Sequence, residues 1–152
     1  GHTDRFKAII NHAGVNDLVT QYGADVTQFG FTKVLGGTPW ENPEGMARNN
    51  PTTYAKNFKT PMLVIHGQLD YRVPYGNGTA LYAILQSMGV PSRLVIFPDE
   101  NHWVLKPQNA IHWHWEMQSW LSRYIGGQPT LEKPDFENWG KKKDEKKEEA
   151  AK

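Results

Sequence analysis

An acidic residue and a histidine stand shortly after two apolar segments of the chain, and together they could move protons. Asp70 follows the run 62–65, MLVI, and His102 follows 93–97, RLVIF. Runs of this length and branching predict strands that are buried on both faces. Sites in open parallel sheets lie just beyond the carboxyl ends of the strands, where these two residues stand. The carboxylate would hold the imidazole in one tautomer and stabilise its protonated form.

The rest of the chain predicts an α/β fold with a mostly parallel sheet and flanking helices. Apolar runs and helical spacing predict strands over 6–12, 62–65 and 93–97 and helices over 26–35, 76–89 and 108–125. Three prolines indicate a loop over 38–53. Strands that alternate with helices favour parallel pairing. Because a helix crosses between the last two strands, Asp70 and His102 should lie at one edge of the sheet.

Composition limits the size of the domain and the class of partner. The 152 residues suffice for one core, and the net charge of +1 gives no long-range field that would attract nucleic acid or an anionic membrane. No apolar run approaches the ~18 residues of a membrane span. Residues 131–152 hold 7 basic and 7 acidic residues. We therefore predict a folded domain over 1–127 and a charged, flexible tail over 128–152.

The acid-before-histidine order matches the last two members of the Ser…Asp…His order of α/β-hydrolases. Two motifs are more specific: VIHGQLDYRVP at 64–74 and IFPDENH at 96–102. With NHAGVNDL at 11–18 and NPTTYAKNFKTPMLVIHG at 50–67, they resemble the C-terminal part of the catalytic domain of prolyl oligopeptidase family serine peptidases. The dipeptidyl-peptidase and acylaminoacyl-peptidase branches are the most similar. This resemblance implies the C-terminal portion of an α/β-hydrolase domain that cleaves short peptides through an acyl-enzyme, without a cofactor.

The resemblance also implies roles for individual residues. Asp70 corresponds to the triad acid and His102 to the triad base. Arg72 matches an arginine that binds a backbone carbonyl of the peptide substrate in some branches, a task that suits the donors of a guanidinium. A salt bridge with Asp70 is the alternative for Arg72. The remaining expectations concern the pocket for the residue before the scissile bond, which would be lined by Val73, Tyr22 and Phe29.

The nucleophile is the departure from the family pattern. The family carries its serine in a Gly-x-Ser-x-Gly elbow ahead of the strand that 6–12 represents, and this chain has no such motif. None of its serines has the strand-turn-helix context of an elbow: Ser87, Ser92, Ser119 and Ser122. We therefore expect an upstream part of the same peptidase to carry the nucleophile and the oxyanion donors. The 152 residues alone should not hydrolyse peptides.

Two other functions remain open at this stage. An esterase or lipase relative would keep the fold and change the substrate. A non-catalytic fragment would act by association, because sheet surface left open by missing strands would favour a homo-oligomer.

Other histidines and aromatic residues predict structure rather than chemistry. His112 and His114 point to different faces of a helix, so we predict no metal site there. The tryptophans at 113, 115 and 120 predict packing. His66 predicts local hydrogen bonds in the turn after its strand, and the role of His12 stays open.

Overall fold

A three-stranded parallel sheet organises the fold. The computed structural model describes residues 1–24, 28–136 and 138. Strands β1 (Ile9–His12), β2 (Met62–Gly67) and β3 (Ser92–Phe97) lie in the order β1-β2-β3. Ile9 pairs with Met62, and Met62 pairs with Ser92. The predicted α/β class with a parallel sheet and flanking helices is confirmed.

The first strand is shorter than predicted, since it begins at Ile9 rather than at residue 6. The Ile9 N–H donates to the Pro61 carbonyl at 2.9 Å, directly before β2 begins at Met62. The chain before Ile9 has no strand partner among the described residues, and Phe6 is half exposed. The apolar run therefore predicts too long a strand, because the residues before Ile9 have no β2 residue to pair with.

The segment between β1 and β2 is more helical than predicted. It contains α1 (Leu18–Ala24), α2 (Gln28–Leu35), α3 (Pro43–Asn49) and a 3-10 helix (Pro51–Asn57). The predicted loop over 38–53 is therefore wrong. Two of its prolines stand in the first turn of a helix, where no N–H is needed. The Asn42 side chain caps α3 by accepting from the Gly45 N–H at 3.0 Å.

Two further helices flank the sheet, one on each face. Helix α4 (Gly76–Ser87) connects β2 to β3, and α5 (Pro107–Ile125) follows β3. The cluster on the α4 face consists of Val64, Leu81, Leu85 and Val90. The cluster on the α5 face consists of Leu63, Ile65, Val95, Phe97 and Trp120, with Trp113 and Met117 packed against it. Alternate residues of β2 thus face opposite helices, so β2 is the buried centre of the domain.

Residues after α5 run back along that helix. Gly126 and Gly127 take positive φ values of 86° and 89°, a conformation that favours glycine, and they end the helix. The Gln118 side-chain oxygen then accepts from the Thr130 N–H at 2.8 Å. The predicted tail therefore starts with a segment that contacts the domain, and its charged part, 141–152, lies outside the described residues.

Within the described ranges, the helices are too short or too polar to cross a membrane.

Candidate active site

Asp70 is a buried carboxylate in the turn that follows β2. Its side chain is shielded from solvent, and its Oδ1 accepts from the Arg72 N–H at 2.9 Å and the Val73 N–H at 2.8 Å. These two bonds are local, because the chain folds back over the carboxylate within three residues. The turn thus fixes one oxygen of Asp70 and leaves Oδ2 for another partner.

That partner is His102, on the loop after β3. Its Nδ1 lies 2.9 Å from Asp70 Oδ2. An ionised carboxylate can only accept, so Nδ1 carries the proton and donates. His102 Nε2 makes no hydrogen bond with any described residue, and the side chain is 24% exposed. The imidazole is therefore held at one nitrogen and open at the other, the arrangement of a general base.

Backbone contacts join the two loops that carry this pair. The Gln68 N–H donates to the Phe97 carbonyl at 2.8 Å, and the Leu69 N–H donates to the Glu100 carbonyl at 2.9 Å. Gly67 permits this close approach, since a Cβ there would lie 2.1 Å from the Asn101 carbonyl oxygen. Glycine is therefore needed at the second position of the HG motif because a larger residue would not fit there, and not only because the chain turns.

Gly67→Ala should destabilise the protein by about 3 kcal/mol or more, because the loop before His102 must move away from the new methyl group. Gly23→Ala is the matched control, since a Cβ at Gly23 meets none of the described atoms within 4 Å. The control should be neutral or slightly stabilising, as expected for Ala in a helix. Urea unfolding compares the two variants, and equal stabilities would contradict the steric argument.

Glu100 shapes the loop that carries His102. Its buried carboxylate accepts from the Leu105 N–H at 3.1 Å, the Lys106 N–H at 2.9 Å and the Asn109 side chain at 2.8 Å. Burial alone would raise the pKa of Glu100, but these hydrogen bonds outweigh it and hold the pKa below its ordinary value. The ionised carboxylate thus ties the loop to the start of α5.

Glu100→Gln should lower the free energy of unfolding by about 1–3 kcal/mol at pH 7, because one carboxylate oxygen is replaced by an amide nitrogen. The remaining oxygen can still accept from the Lys106 N–H and Asn109 as a neutral group, but the amide nitrogen is a donor that faces the Leu105 N–H. A carboxylate whose pKa is lower in the folded state stabilises the protein at pH values above the ordinary glutamate pKa of 4.5. This stabilisation is lost as the pH falls through the pKa of the folded state. The deficit of the variant should therefore shrink below pH 4.5. Urea unfolding at pH 7 and in acid tests this, with the exposed Glu132→Gln as control. A deficit that does not depend on pH would contradict it.

Two buried amides clamp the helical insert to the site. Gln21 on α1 donates to the Arg72 carbonyl at 2.8 Å. Asn77 on α4 accepts from the Asn16 N–H at 3.0 Å and the Asp17 N–H at 3.1 Å. Sequence reasoning missed both clamps, since the partners are 51, 61 and 60 positions apart. The Gln21 clamp holds the turn around Asp70 from the side of the insert, and the Asn77 clamp ties the residues just before α1 to α4.

The predicted binding residues differ in their exposure and in their contacts. The Arg72 side chain is exposed and forms no ion pair with Asp70 or with any other described residue. Val73 is buried, with 5% exposure, so its side chain offers little surface. Tyr22 packs edge-on against Trp40 with ring centres 5.5 Å apart. Phe29 belongs to α2, but its side chain lies outside the part that the structure describes.

His12 joins the candidate site at the end of β1. Its Nδ1 accepts from the Trp113 indole N–H at 3.1 Å. Burial foremost, and then the neighbouring His66 and His102, lower the pKa of His12. His12 is therefore a neutral side chain at the sheet edge where Asp70 and His102 also lie.

The paired histidines of α5 have separate partners. His112 Nε2 lies 3.1 Å from Glu116 Oε1, and the His114 ring contacts the ring of Trp113. Across the described part of the chain, no three His, Cys, Asp or Glu side chains lie together in a way that could hold a metal ion.

None of the four serines lies in a turn at the His102 edge of the sheet. Ser92 begins β3, at the opposite end of the strand, and Ser87 ends α4, where its hydroxyl donates to the Ile84 carbonyl. Ser119 and Ser122 belong to α5. Among the described residues, a carboxylate and an imidazole therefore meet at this edge of the sheet, and no serine lies in a turn beside them.

Comparison with known proteins identifies the family of this chain. The model of the prolyl oligopeptidase family matches residues 1–128. The chain belongs to the prolyl oligopeptidase family. It is 45% identical to dipeptidyl-peptidase 5 of Schizosaccharomyces pombe over 121 residues, which are 79% of this chain and 18% of the relative. It is 41% identical to dipeptidyl-peptidase 5 of Porphyromonas gingivalis over 130 residues, 82% of this chain and 19% of the relative.

Solved structures of family members share the fold. An acylaminoacyl peptidase of Pyrococcus horikoshii superposes with a TM-score of 0.76 at 29% identity, covering 90% of this chain and 23% of that one. The predicted family and the predicted α/β-hydrolase architecture are confirmed. The chain spans less than a fifth of the length of the two dipeptidyl-peptidases.

Proposed function

We propose that this chain supplies the acid and the base of a serine peptidase, and that another segment of the same peptidase supplies the nucleophilic serine. The observation that carries the proposal is the Asp70–His102 pair, with Nδ1 and Oδ2 2.9 Å apart and Nε2 open. In the proposed reaction, His102 Nε2 takes the proton of the serine hydroxyl as the hydroxyl attacks the peptide carbonyl. Asp70 stabilises the imidazolium that forms. His102 then returns the proton to the leaving amine, and water releases the acyl group in a second step.

The names of the relatives and the exposed side chains near the pair support the proposed substrate class. The two relatives are named dipeptidyl-peptidases, which supports short peptides, cleaved near the N terminus, as the substrates. The Arg72 guanidinium, which is unpaired among the described residues, would bind a backbone carbonyl of the peptide. Tyr22, Val73 and Phe29 remain the proposed pocket residues, of which Val73 is buried and would contribute only a small part of its side chain.

Intact mass after treatment with a fluorophosphonate tests the proposal. The 152-residue chain alone should keep its mass of 17.3 kDa and should not cleave dipeptidyl p-nitroanilides. The complete peptidase that contains this chain should gain one adduct, on a serine outside residues 1–152, and should cleave the substrate. An adduct on the 152-residue chain would contradict the division of the triad. A complete protein that neither reacts nor hydrolyses peptides would refute the peptidase proposal.

Labelling in variants assigns the base. His102→Ala in the complete peptidase should slow formation of the adduct, whereas His114→Ala should leave it unchanged, because His114 is exposed on α5. Equal labelling rates in both variants would remove His102 from the proposed mechanism. Comparing ester and anilide substrates in the same preparation separates a peptidase from an esterase.

A further inference from the structure

His66 is a buried histidine that the proposed mechanism does not use. It stands in β2 four positions before Asp70 and has no exposed surface. Its Nε2 lies 2.7 Å from the Val73 carbonyl oxygen and 3.4 Å from Asp70 Oδ2. The shorter distance is a hydrogen bond, and the longer one is an electrostatic contact. His66 thus touches both the carboxylate and the turn that carries it.

The contacts of His66 determine its tautomer. A carbonyl oxygen can only accept, so Nε2 carries a proton. Nδ1 is buried without a hydrogen-bond partner among the described residues. It faces Gly78 on α4, where a Cβ would lie 2.7 Å away. A proton on Nδ1 would therefore be a buried donor without an acceptor, which is costly, and the neutral Nε2–H form is favoured.

A neutral His66 suits the chemistry of the pair. Its N–H dipole points at the Val73 carbonyl and the nearby Asp70 carboxylate without adding a second positive charge. A cationic ring at that place would compete with the His102 imidazolium for the negative charge of Asp70.

Val73 links His66 to Asp70 through its backbone. The Val73 N–H donates to Asp70 Oδ1 at 2.8 Å, while the Val73 carbonyl accepts from His66. Both backbone groups of Val73 are thus held, one by the acid and one by the histidine. Movement of His66 would release the Val73 carbonyl and let the carboxylate rotate away from His102 Nδ1.

We propose that His66 is a positioning residue for Asp70. Its Nε2–H anchors the turn through the Val73 carbonyl and keeps Oδ2 aimed at His102. The inference rests on the proposed function, because it concerns the aim of the acid in a working triad. It adds a donor to the site and gives the histidine of the HG motif a role in orientation.

Paired substitutions in the complete peptidase test the role. His66→Gln places an amide donor near the position of Nε2, whereas His66→Asn places it near Nδ1, and His66→Leu removes it. Gly78→Ala moves the ring without changing it. Gly76→Ala is its control, because a Cβ at Gly76 meets no atom of the described residues within 4 Å. The readouts are kcat and KM on a dipeptidyl p-nitroanilide, with active sites counted by fluorophosphonate titration and folding followed by thermal unfolding.

We expect His66→Leu and His66→Asn to lower kcat per titrated site by about 10- to 100-fold, the range for loss of one buried hydrogen-bond partner. KM should change by less than about threefold, since His66 does not touch the substrate. His66→Gln should recover most of kcat. Gly78→Ala should lower kcat in the same way, and Gly76→Ala should match the unmodified enzyme.

Several outcomes would overturn the inference. One is an unchanged kcat per titrated site in all His66 variants. A second is equal kcat loss in His66→Gln and His66→Leu, or losses that only follow the thermal unfolding midpoint, because either indicates packing alone. In both cases a peptidase whose activity still depends on His102 keeps the proposed function intact. If the unmodified protein neither reacts with the fluorophosphonate nor cleaves peptides, the proposed function fails and this inference fails with it.

Discussion

In the proposed peptidase, His102→Ala is expected to lower kcat by about a millionfold, the loss typical of removing the base of a triad. Nε2 of His102 is open in the described structure, while Nδ1 donates to Asp70 at 2.9 Å. Alanine leaves nothing to take the serine proton or to protonate the leaving amine. The measurement is release of p-nitroaniline from a dipeptidyl substrate under single-turnover and steady-state conditions.

The control for this loss is His114→Ala, an exposed histidine on α5 that contacts Trp113. Its kcat should stay within about twofold of the unmodified enzyme, since surface changes away from a site have small effects. The His102 variant should remain folded, because its side chain is partly exposed and its removal opens no cavity in the apolar core. A His102→Ala enzyme that keeps more than about a hundredth of kcat would show that another group is the base.

Asp70→Asn is expected to lower kcat by about four orders of magnitude while leaving the fold in place. The side-chain carbonyl of asparagine can still accept from the Arg72 and Val73 N–H groups, which now bind Oδ1 at 2.9 Å and 2.8 Å. Its amide would face His102 Nδ1 as a donor, so Nδ1 would become the acceptor and Nε2 would hold the proton. A protonated Nε2 cannot take the proton of serine.

Asp99→Asn is the matched control for the acid. Asp99 follows β3 near His102, but it is half exposed and pairs with Lys106 at 2.6 Å. Its loss should change kcat by less than about threefold, because exposed ion pairs contribute little. Thermal unfolding of the Asp70 variant should stay close to that of the unmodified protein. A loss of kcat below about tenfold would contradict the role of Asp70 in holding the tautomer.

The local sequence pattern was sufficient to predict the strands and helices that depend mainly on residues close together in the chain. The apolar runs 62–65 and 93–97 predicted β2 and β3, because a strand buried on both faces needs several consecutive apolar side chains. Helical spacing predicted α4 and α5 to within two residues at each end. Gly89, with φ of 68°, lies two residues beyond the end of α4 at Ser87, so the helix ends just inside the predicted range 76–89.

The helical insert shows where local pattern was ambiguous. Proline prevents a helix from continuing but also starts one, and Pro43 and Pro51 do the latter. The Asp17 side chain accepts from the Val19 N–H at 2.9 Å at the start of α1, a capping signal that sequence reasoning passed over. Both errors concern helix starts, where the same residue types also form turns.

The chain by itself determined an α/β fold, an acid and a histidine after successive strands, and membership in a peptidase family, because these depend on short runs, their order and motifs. Only the tertiary structure decided how the acid is held. The Gln21 and Asn77 clamps, the Glu100 carboxylate and the tautomer of His66 depend on hydrogen bonds that exist only when segments meet in space. Whether a buried polar side chain has a partner is a property of three-dimensional surroundings.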